Sequence, residues 1–232
     1  TSWSVVLNAR DEDSQGPREA LNHLCKTYWP PVYSFFRSKN CSKEDAEDLT
    51  QEFFCRIMKR QFLPAVSRGR GKFRTYLLAA AENLLKDEHR KSHALKRGGG
   101  EVPFPLDTTR AETLYAYDCH HGLDSRTFFD RHWAQAILDA VLERLEDEFS
   151  AAGRSRVFEA LKGSLATPKG DVSYRELGDK LGMSEDAVKV AVHRMRKRYG
   201  ALLREEVGRT VEHPEQIEEE LRYLFAAVTG QT

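Results

Sequence analysis

Two short helical patterns joined by a glycine turn constrain the fold of this chain more than any other feature. The first pattern opens at Ser173 and ends near Leu181, and the second opens at Ser184. Ser173 and Glu176 have the spacing of a capping box, and Ser184 can cap the helix that follows it. A short turn that contains a glycine, here Gly182, between two helices is typical of a helix-turn-helix.

The second helix of this motif has one apolar stripe and a strongly basic opposite face. The segment Asp186–Arg204 carries six basic residues against one acidic residue, a net charge of +5. The stripe consists of Val188, Val192, Met195 and Tyr199. A helix of this kind can lie in the major groove of DNA, although a solvated cationic face is the alternative. The coincidence of turn, caps, stripe and charge favours DNA binding.

Helical periodicity dominates the rest of the chain, and strand patterns are nearly absent. Gly98-Gly99-Gly100 and two nearby prolines interrupt it and indicate a linker, partly mobile, with helices resuming at about Thr127. We therefore predict an all-α protein with two small helical domains, a linker and a C-terminal helical tail. The expected segments are residues 1–97, 98–126, 127–207 and 208–232.

A second basic concentration lies in the first domain. Residues 67–97 carry nine basic and three acidic residues, a net charge of +6, with Phe73 and Tyr76 among them. Basic residues interleaved with aromatic rings suit single-stranded DNA, because the cations meet phosphates and the rings stack on bases. The alternative is that both rings belong to the core.

An acidic helix precedes this basic segment. Ser42 and Asp45 have the spacing of a helix cap, and five acidic residues follow within nine positions: Glu44, Asp45, Glu47, Asp48 and Glu52. Such a face would repel nucleic acid. It is either a solvated surface or a docking face for a basic protein partner.

Composition excludes several classes of function. Lys plus Arg and Asp plus Glu balance at 36 each, so only local patches can attract nucleic acid. No apolar run is long enough to span a membrane, and no signal-peptide pattern is present, so we expect a cytoplasmic protein. The four cysteines show no C-x-x-C spacing, and Cys119-His120-His121 lacks a spaced partner pair, so we expect neither a metal nor another cofactor.

Several motifs resemble those of bacterial RNA polymerase sigma factors of the extracytoplasmic-function (ECF) subfamily. The acidic helix, from Asp45, reads DAEDLTQEFF and is similar to the family's clamp-binding signature. Residues 73–77 and 81–91 are similar to the helix that melts the promoter and reads its −10 element, with Glu82 in place of the usual arginine. Residues 173–178 and 182–189 are similar to region 4, which reads the −35 element, with Val190 and Ala191 where many relatives have serine and arginine.

The resemblance implies three sets of binding residues and no catalytic residue. Binding to the clamp of core RNA polymerase is expected through Asp45, Glu47, Asp48, Leu49, Gln51, Glu52 and Phe54. Binding to the −10 element is expected through Arg74, Tyr76, Asn83, Lys86, Asp87, Arg90 and Lys91. Binding to the −35 element is expected through Ser184, Glu185, Asp186, Lys189, His193, Arg194, Arg196 and Lys197.

The expected function is therefore promoter recognition, DNA melting and transcription initiation with core polymerase, bound at its clamp and flap. An anti-sigma factor or a regulatory kinase is a further expected partner. Three alternatives stay open: a helix-turn-helix regulator that binds duplex DNA without polymerase, a polymerase-binding module that does not initiate, and an enzyme. No nucleophile motif or phosphate-binding loop favours the last. The acidic segment 205–222, of net charge −5, is expected to fold back over one of the DNA-binding domains.

Overall fold

The computed structural model describes residues 15–58, 72–91, 108–119, 123–167 and 172–230, and in these ranges the chain is helical without a strand. The helices are α1 (Gln15–Ser38), α2 (Lys43–Met58), α3 (Phe73–Lys91), α4 (Thr108–Cys119), α5 (Ser125–Ala151), α6 (Ser155–Leu161), α7 (Tyr174–Leu181), α8 (Glu185–Thr210) and α9 (Ile217–Thr229). Short 3₁₀ turns occupy Lys162–Leu165 and Pro214–Gln216. The predicted all-α class is confirmed.

The chain divides into two compact units. Residues up to Ile137 and from Val207 onward form the first unit, and Leu138–Glu206 form the second. The boundaries fall inside α5 and α8, so the second unit is an insertion within the first along the sequence.

Aromatic side chains form the core of the first unit. Tyr28 of α1 meets Phe73 of α3 edge to face at 5.5 Å between ring centroids, and Phe36 meets Phe53 of α2 at 6.4 Å. All four rings are fully buried. Large rings bury 150–250 Å² each, by a rough general figure, so such contacts dominate core energetics. They fix α1, α2 and α3 to one another.

Helix α1 continues through Pro30 and Pro31, although a proline inside a helix favours a break or a kink. An internal proline removes one backbone hydrogen bond and costs roughly 3 kcal/mol in an isolated helix. Here the same helix buries Tyr28, Val32 and Phe35 completely or nearly so. Tertiary packing therefore overrides the local preference.

The segment 98–126 is more structured than the predicted linker. Residues 108–119 form α4, which packs on α1, and α5 begins at Ser125, slightly before the expected resumption at Thr127. The Asp124 carboxylate accepts the backbone N–H of Arg126 at 2.9 Å and so caps α5. The glycines and prolines that indicated a linker lie in 98–107, outside the described residues.

The second unit is built around the apolar faces of α5, α6 and α8. Val141 and Leu145 of α5, Phe158 of α6, and Val188 and Val192 of α8 are buried. These positions follow the helical spacing that the sequence predicts for α5 and α8. The core holds α8 with its opposite side exposed.

Candidate polymerase and nucleic-acid interfaces

The helix-turn-helix is formed by α7, the turn at Gly182 and α8. Gly182 adopts a left-handed conformation, φ 66°, and the N–H of Met183 donates to the Gly178 carbonyl at 3.0 Å. A side chain at Gly178 would bring its Cβ to 2.6 Å from the Met183 carbonyl oxygen. The turn can close this tightly only because glycine stands at both positions.

The caps of this motif differ from the prediction at one point. The Ser184 hydroxyl accepts the N–H of Ala187 at 3.3 Å, so the predicted cap of α8 is present. Ser173 precedes α7 as expected, but its side chain makes no capping hydrogen bond. The predicted capping box with Glu176 is therefore wrong, and the backbone hydrogen bond from the Leu177 N–H to the Ser173 carbonyl, at 3.2 Å, marks the start of α7.

The exposed face of α8 carries most of the residues predicted to read the −35 element. Val188, Val192 and Met195 are buried on the inner side. The predicted residues that lie exposed are Ser184, Glu185, Asp186, Lys189, His193, Arg194 and Lys197. The structure thus brings these seven to one surface, as a helix that enters a groove requires.

Lys189 is engaged within α8. Its ammonium lies 2.8 Å from the Glu185 carboxylate and 3.4 Å from that of Asp186. The hydrogen bond to Glu185 raises the pKa of Lys189. Lys189 is therefore a weaker attractant for phosphate than the sequence alone suggests.

Arg196 has a structural role in this conformation, and its predicted contact with DNA stays a prediction. Its guanidinium is half-buried and donates to the Ser164 carbonyl from Nη2 at 2.6 Å and to the Thr167 carbonyl at 2.6 Å. These carbonyls lie at the end of the 3₁₀ turn after α6 and just beyond it. A planar guanidinium satisfies several such acceptors at once, and this one closes the turn.

The side chains of the acidic face of helix α2 differ in their exposure. Asp45 and Asp48 are exposed, and Glu47, Leu49, Gln51 and Glu52 are half-buried. The Ser42 hydroxyl accepts the Asp45 N–H at 3.0 Å and donates to its carboxylate at 2.9 Å, so the predicted start of the helix is confirmed.

Besides Asp45, two further members of the predicted clamp-binding set have partners inside the protein. Glu47 accepts the Thr108 hydroxyl of α4 at 2.9 Å, and Glu52 pairs with Arg56. Phe54 is fully buried and meets Phe53 edge to face at 5.0 Å. Phe54 therefore lies in the core in this conformation, and its predicted contact with the clamp stays a prediction.

Helix α3 divides the predicted −10 residues into two groups. Asn83 and Lys86 are exposed and Asp87 is half-buried, whereas Arg74 and Tyr76 are both 8% exposed. Tyr76 therefore occupies the core position that the sequence offered as the alternative, Arg74 is buried as well, and their predicted DNA contacts stay predictions. The side chains of Arg90 and Lys91 lie outside the described residues.

The start of α3 is covered by α9. The Arg74 guanidinium donates from Nε to the Glu220 carboxylate at 2.7 Å and lies 3.6 Å from the centre of the Tyr223 ring. Lys72 lies 2.8 Å from Glu219 and 3.0 Å from Glu220. The acidic segment thus folds back onto the first unit and neutralises two of its bases.

A buried carboxyl completes this cluster. Asp130 of α5 lies 3.5 Å from Arg74 and accepts the Tyr223 hydroxyl at 2.5 Å. Burial raises the pKa of Asp130 although Tyr223 and Arg74 oppose the shift. Burial and the hydrogen bond to Asp130 raise the pKa of Tyr223 to about 12. The sequence did not indicate that Asp130 and Tyr223 belong to this cluster. The amphipathic spacing of α9 was the pattern that could have pointed to it.

Helix α4 is attached to α1 by a second polar cluster. Arg37 lies 2.6 Å from the Glu112 carboxylate, which also accepts the Tyr33 hydroxyl at 2.6 Å, and the Tyr115 ring faces Arg37 at 4.5 Å. Burial acts to raise the pKa of Glu112, but the hydrogen bonds from Arg37 and Tyr33 outweigh it and lower the pKa. Nothing local in the sequence signals this contact.

The described residues contain no group of His, Cys, Asp and Glu side chains that could hold a metal ion. In the same ranges no helix combines the length and apolar character needed to span a bilayer. Cys25 is buried, and burial raises the pKa of its thiol. His120 and His121 lie outside the described residues.

Comparison with known proteins agrees with this geometry. Residues 24–94 match the family model for sigma-70 region 2. The ECF RNA polymerase sigma factor SigE of Mycolicibacterium smegmatis is 28% identical over 190 residues, which cover 80% of this chain and 63% of that protein. No solved structure was found to match the chain.

The first unit therefore contains a sigma-70 region 2 domain, the class of domain to which α1, α2 and α3 belong. Together with the alignment to SigE, this match makes the chain similar to the ECF-type sigma factors.

Proposed function

We propose that this protein binds core RNA polymerase and directs promoter recognition, DNA melting and transcription initiation, without performing chemistry itself. The observation that carries the proposal is the presence of a sigma-70 region 2 domain and a helix-turn-helix in one chain. An independent regulator would explain the helix-turn-helix alone. The regulatory partner, an anti-sigma factor or a kinase, stays a prediction.

The polymerase-binding surface of the proposal is the exposed part of α2. Asp45 and Asp48 are its exposed acids from the predicted set, and Leu49 and Gln51 lie half-exposed beside them. An acidic surface suits a basic partner, because complementary charge speeds association and orients it. Phe54 packs in the core on the buried side of α2 and so supports this surface.

The −10 contact of the proposal lies on the exposed ridge of α3. This ridge consists of Thr75, Ala79, Glu82, Asn83 and Lys86. Asn83 can hydrogen-bond a base edge and Lys86 can neutralise a phosphate, so both suit a displaced single strand. Arg74 and Tyr76 instead hold the helix in place.

The −35 contact of the proposal uses the exposed face of α8. His193, Arg194 and Lys197 supply donors, and Arg194 and Lys197 supply fixed positive charge. Phosphate contacts position such a helix, and its N-terminal half reads base edges in the major groove. The two units would then contact separate promoter elements.

In vitro transcription tests the proposal directly. Core bacterial polymerase is assayed on a genomic promoter library with and without the full chain. We expect new start sites that share two spaced upstream motifs. Polymerase binding without new transcripts would instead support the non-initiating module, and duplex binding without polymerase would support the regulator.

A pair of variants tests the polymerase-binding surface. Asp48→Lys reverses an exposed charge on α2, and Asp147→Lys reverses an exposed charge on α5 in the second unit. Asp48→Lys should weaken binding to core polymerase, measured by titration of labelled protein, whereas Asp147→Lys should not. Equal affinities for the two variants would contradict the proposed surface.

A further inference from the structure

One side chain of α8 is apolar where its surroundings are polar. Val190 is 49% exposed, and among the described residues it belongs to a small group of large apolar side chains with substantial exposure. A single exposed valine is ordinary on a protein surface. Its position on the helix that the proposed function places against DNA makes this one informative.

Helix geometry places Val190 in the middle of the outward ridge. Each residue of an α-helix turns by about 100°, so Val190 lies roughly 160° from both Val188 and Val192. Those two valines are buried, and Asp186, His193 and Lys197 share the exposed side with Val190. The valine therefore stands at the centre of the surface that faces outward from the second unit.

The neighbouring side chain of Lys189 does not compete for this position. Its ammonium is drawn back toward the N-terminus of α8 by Glu185, 2.8 Å away, and Asp186, 3.4 Å away. Arg194 and Lys197 lie one and two turns further along the helix and are exposed. A groove wall of phosphates would meet these cations while Val190 faces the groove floor.

The apolar side chain of valine limits the groups of DNA that it can recognise in the major groove. Its isopropyl group neither donates nor accepts a hydrogen bond. The major-groove edge of the base pairs offers one apolar group, the C5 methyl of thymine, and small apolar side chains contact it. Because valine is branched at Cβ, its rotamer is restricted, so it loses little entropy on binding.

We propose that Val190 is a specificity-determining residue that contacts the C5 methyl of a thymine in the upstream promoter element. This proposal rests on the proposed function, because it requires α8 to lie in the major groove. It assigns base preference to a position at which the family resemblance provides no guide, since many relatives have serine there.

Removal of the methyl group from DNA tests the contact. In the promoter obtained from the library, each thymine of the upstream motif is replaced singly by deoxyuridine, which lacks only the C5 methyl. Binding of the holoenzyme is measured by competition against the unmodified promoter. The loss of one buried methyl group should weaken holoenzyme binding roughly fourfold when one particular thymine is replaced. Replacement of any other thymine of the motif should leave the affinity almost unchanged.

Protein variants connect that thymine to Val190. Val190→Ala should bind the unmodified promoter about fourfold more weakly and become insensitive to deoxyuridine at the same position. Alanine is the better helix former and Val190 is exposed, so this variant should fold. The control is Phe225→Ala on α9, which trims another exposed apolar side chain, 53% exposed, and should keep the wild-type response.

The outcomes separate the two proposals. Initiation without a deoxyuridine-sensitive thymine, or sensitivity that persists in Val190→Ala, would overturn the contact while the sigma-factor function stands. Absence of initiation from every promoter in the library would overturn the proposed function and the contact together. Loss of sensitivity in Phe225→Ala as well would show that the effect does not arise at Val190.

Discussion

Substitution of Glu220 by glutamine should destabilise the first unit by about 3 kcal/mol. The Glu220 side chain is 1% exposed, with one oxygen 2.7 Å from Arg74 Nε and the other 3.0 Å from Lys72 Nζ. Breaking a buried ion pair costs about 3–5 kcal/mol, because a buried charge loses its partner. The lower end applies here, since Asp130 still lies 3.5 Å from Arg74.

Glu219→Gln is the matched control for this substitution. Its side chain is 64% exposed and lies 2.8 Å from the same lysine, Lys72. Exposed ion pairs contribute little because water screens them and both side chains lose entropy. Glu219→Gln should therefore change the free energy of unfolding much less than Glu220→Gln, and high salt should diminish its effect further.

Tryptophan fluorescence during urea unfolding measures the effect in the appropriate unit. The three tryptophans of the chain, Trp3, Trp29 and Trp133, all lie outside residues 138–206. Trp133 is fully buried and meets Tyr223 of α9 at 6.3 Å, so its emission should report the loss of this contact. Equal shifts of the urea midpoint for Glu220→Gln and Glu219→Gln would refute the reasoning from burial.

Three further predictions concern Gly178, two arginines of α8 and Asp130. Gly178→Ala should destabilise the second unit by about 1–3 kcal/mol in thermal unfolding because its Cβ would meet backbone at 2.6 Å, whereas Gly200→Ala, with open space, should stabilise α8 by about 0.5–1 kcal/mol. Arg194→Ala should lower the salt slope of promoter binding by about 1, whereas Arg196→Ala should lower the melting temperature and leave the slope unchanged. Because burial raises the pKa of Asp130, the folded state holds its proton more tightly, so the stability of the wild type relative to Asp130→Asn should fall as pH rises from about 4; a difference independent of pH would contradict the shift.

Features set by neighbouring residues could be predicted from the sequence. The starts of α2 and α8 follow from serine caps that act over three residues, at Ser42 and Ser184. The glycine turn between α7 and α8 and the buried face of α8 follow from equally local patterns. The exposed face of α8 could therefore be predicted from the sequence almost completely.

Features set by distant partners could not be predicted. Arg74 follows an aromatic residue in a basic segment, and this local pattern predicts a DNA contact. Its partner in the structure, Glu220, is 146 residues away in the sequence. Helix α4 has weak amphipathic character, and its attachment depends on Glu112 and Arg37, which are 75 residues apart. Single-sequence periodicity contains no information on such pairs. The burial of Arg74 and the helix within segment 98–126 could not be predicted for this reason.

Because the second unit interrupts the first along the sequence, the order of synthesis decides when the contacts of the first unit can form. A ribosome releases α1, α2 and α3 early, but the α9 carboxylates that meet Lys72 and Arg74 follow only after the whole of residues 138–206. Until then Trp133 lacks the contact with Tyr223 of α9, and Arg74 lacks its carboxylate partner Glu220. The second unit is contiguous, so all of its residues are available once residue 206 has been made. The contacts of the first unit can thus be completed only after the whole second unit has been made.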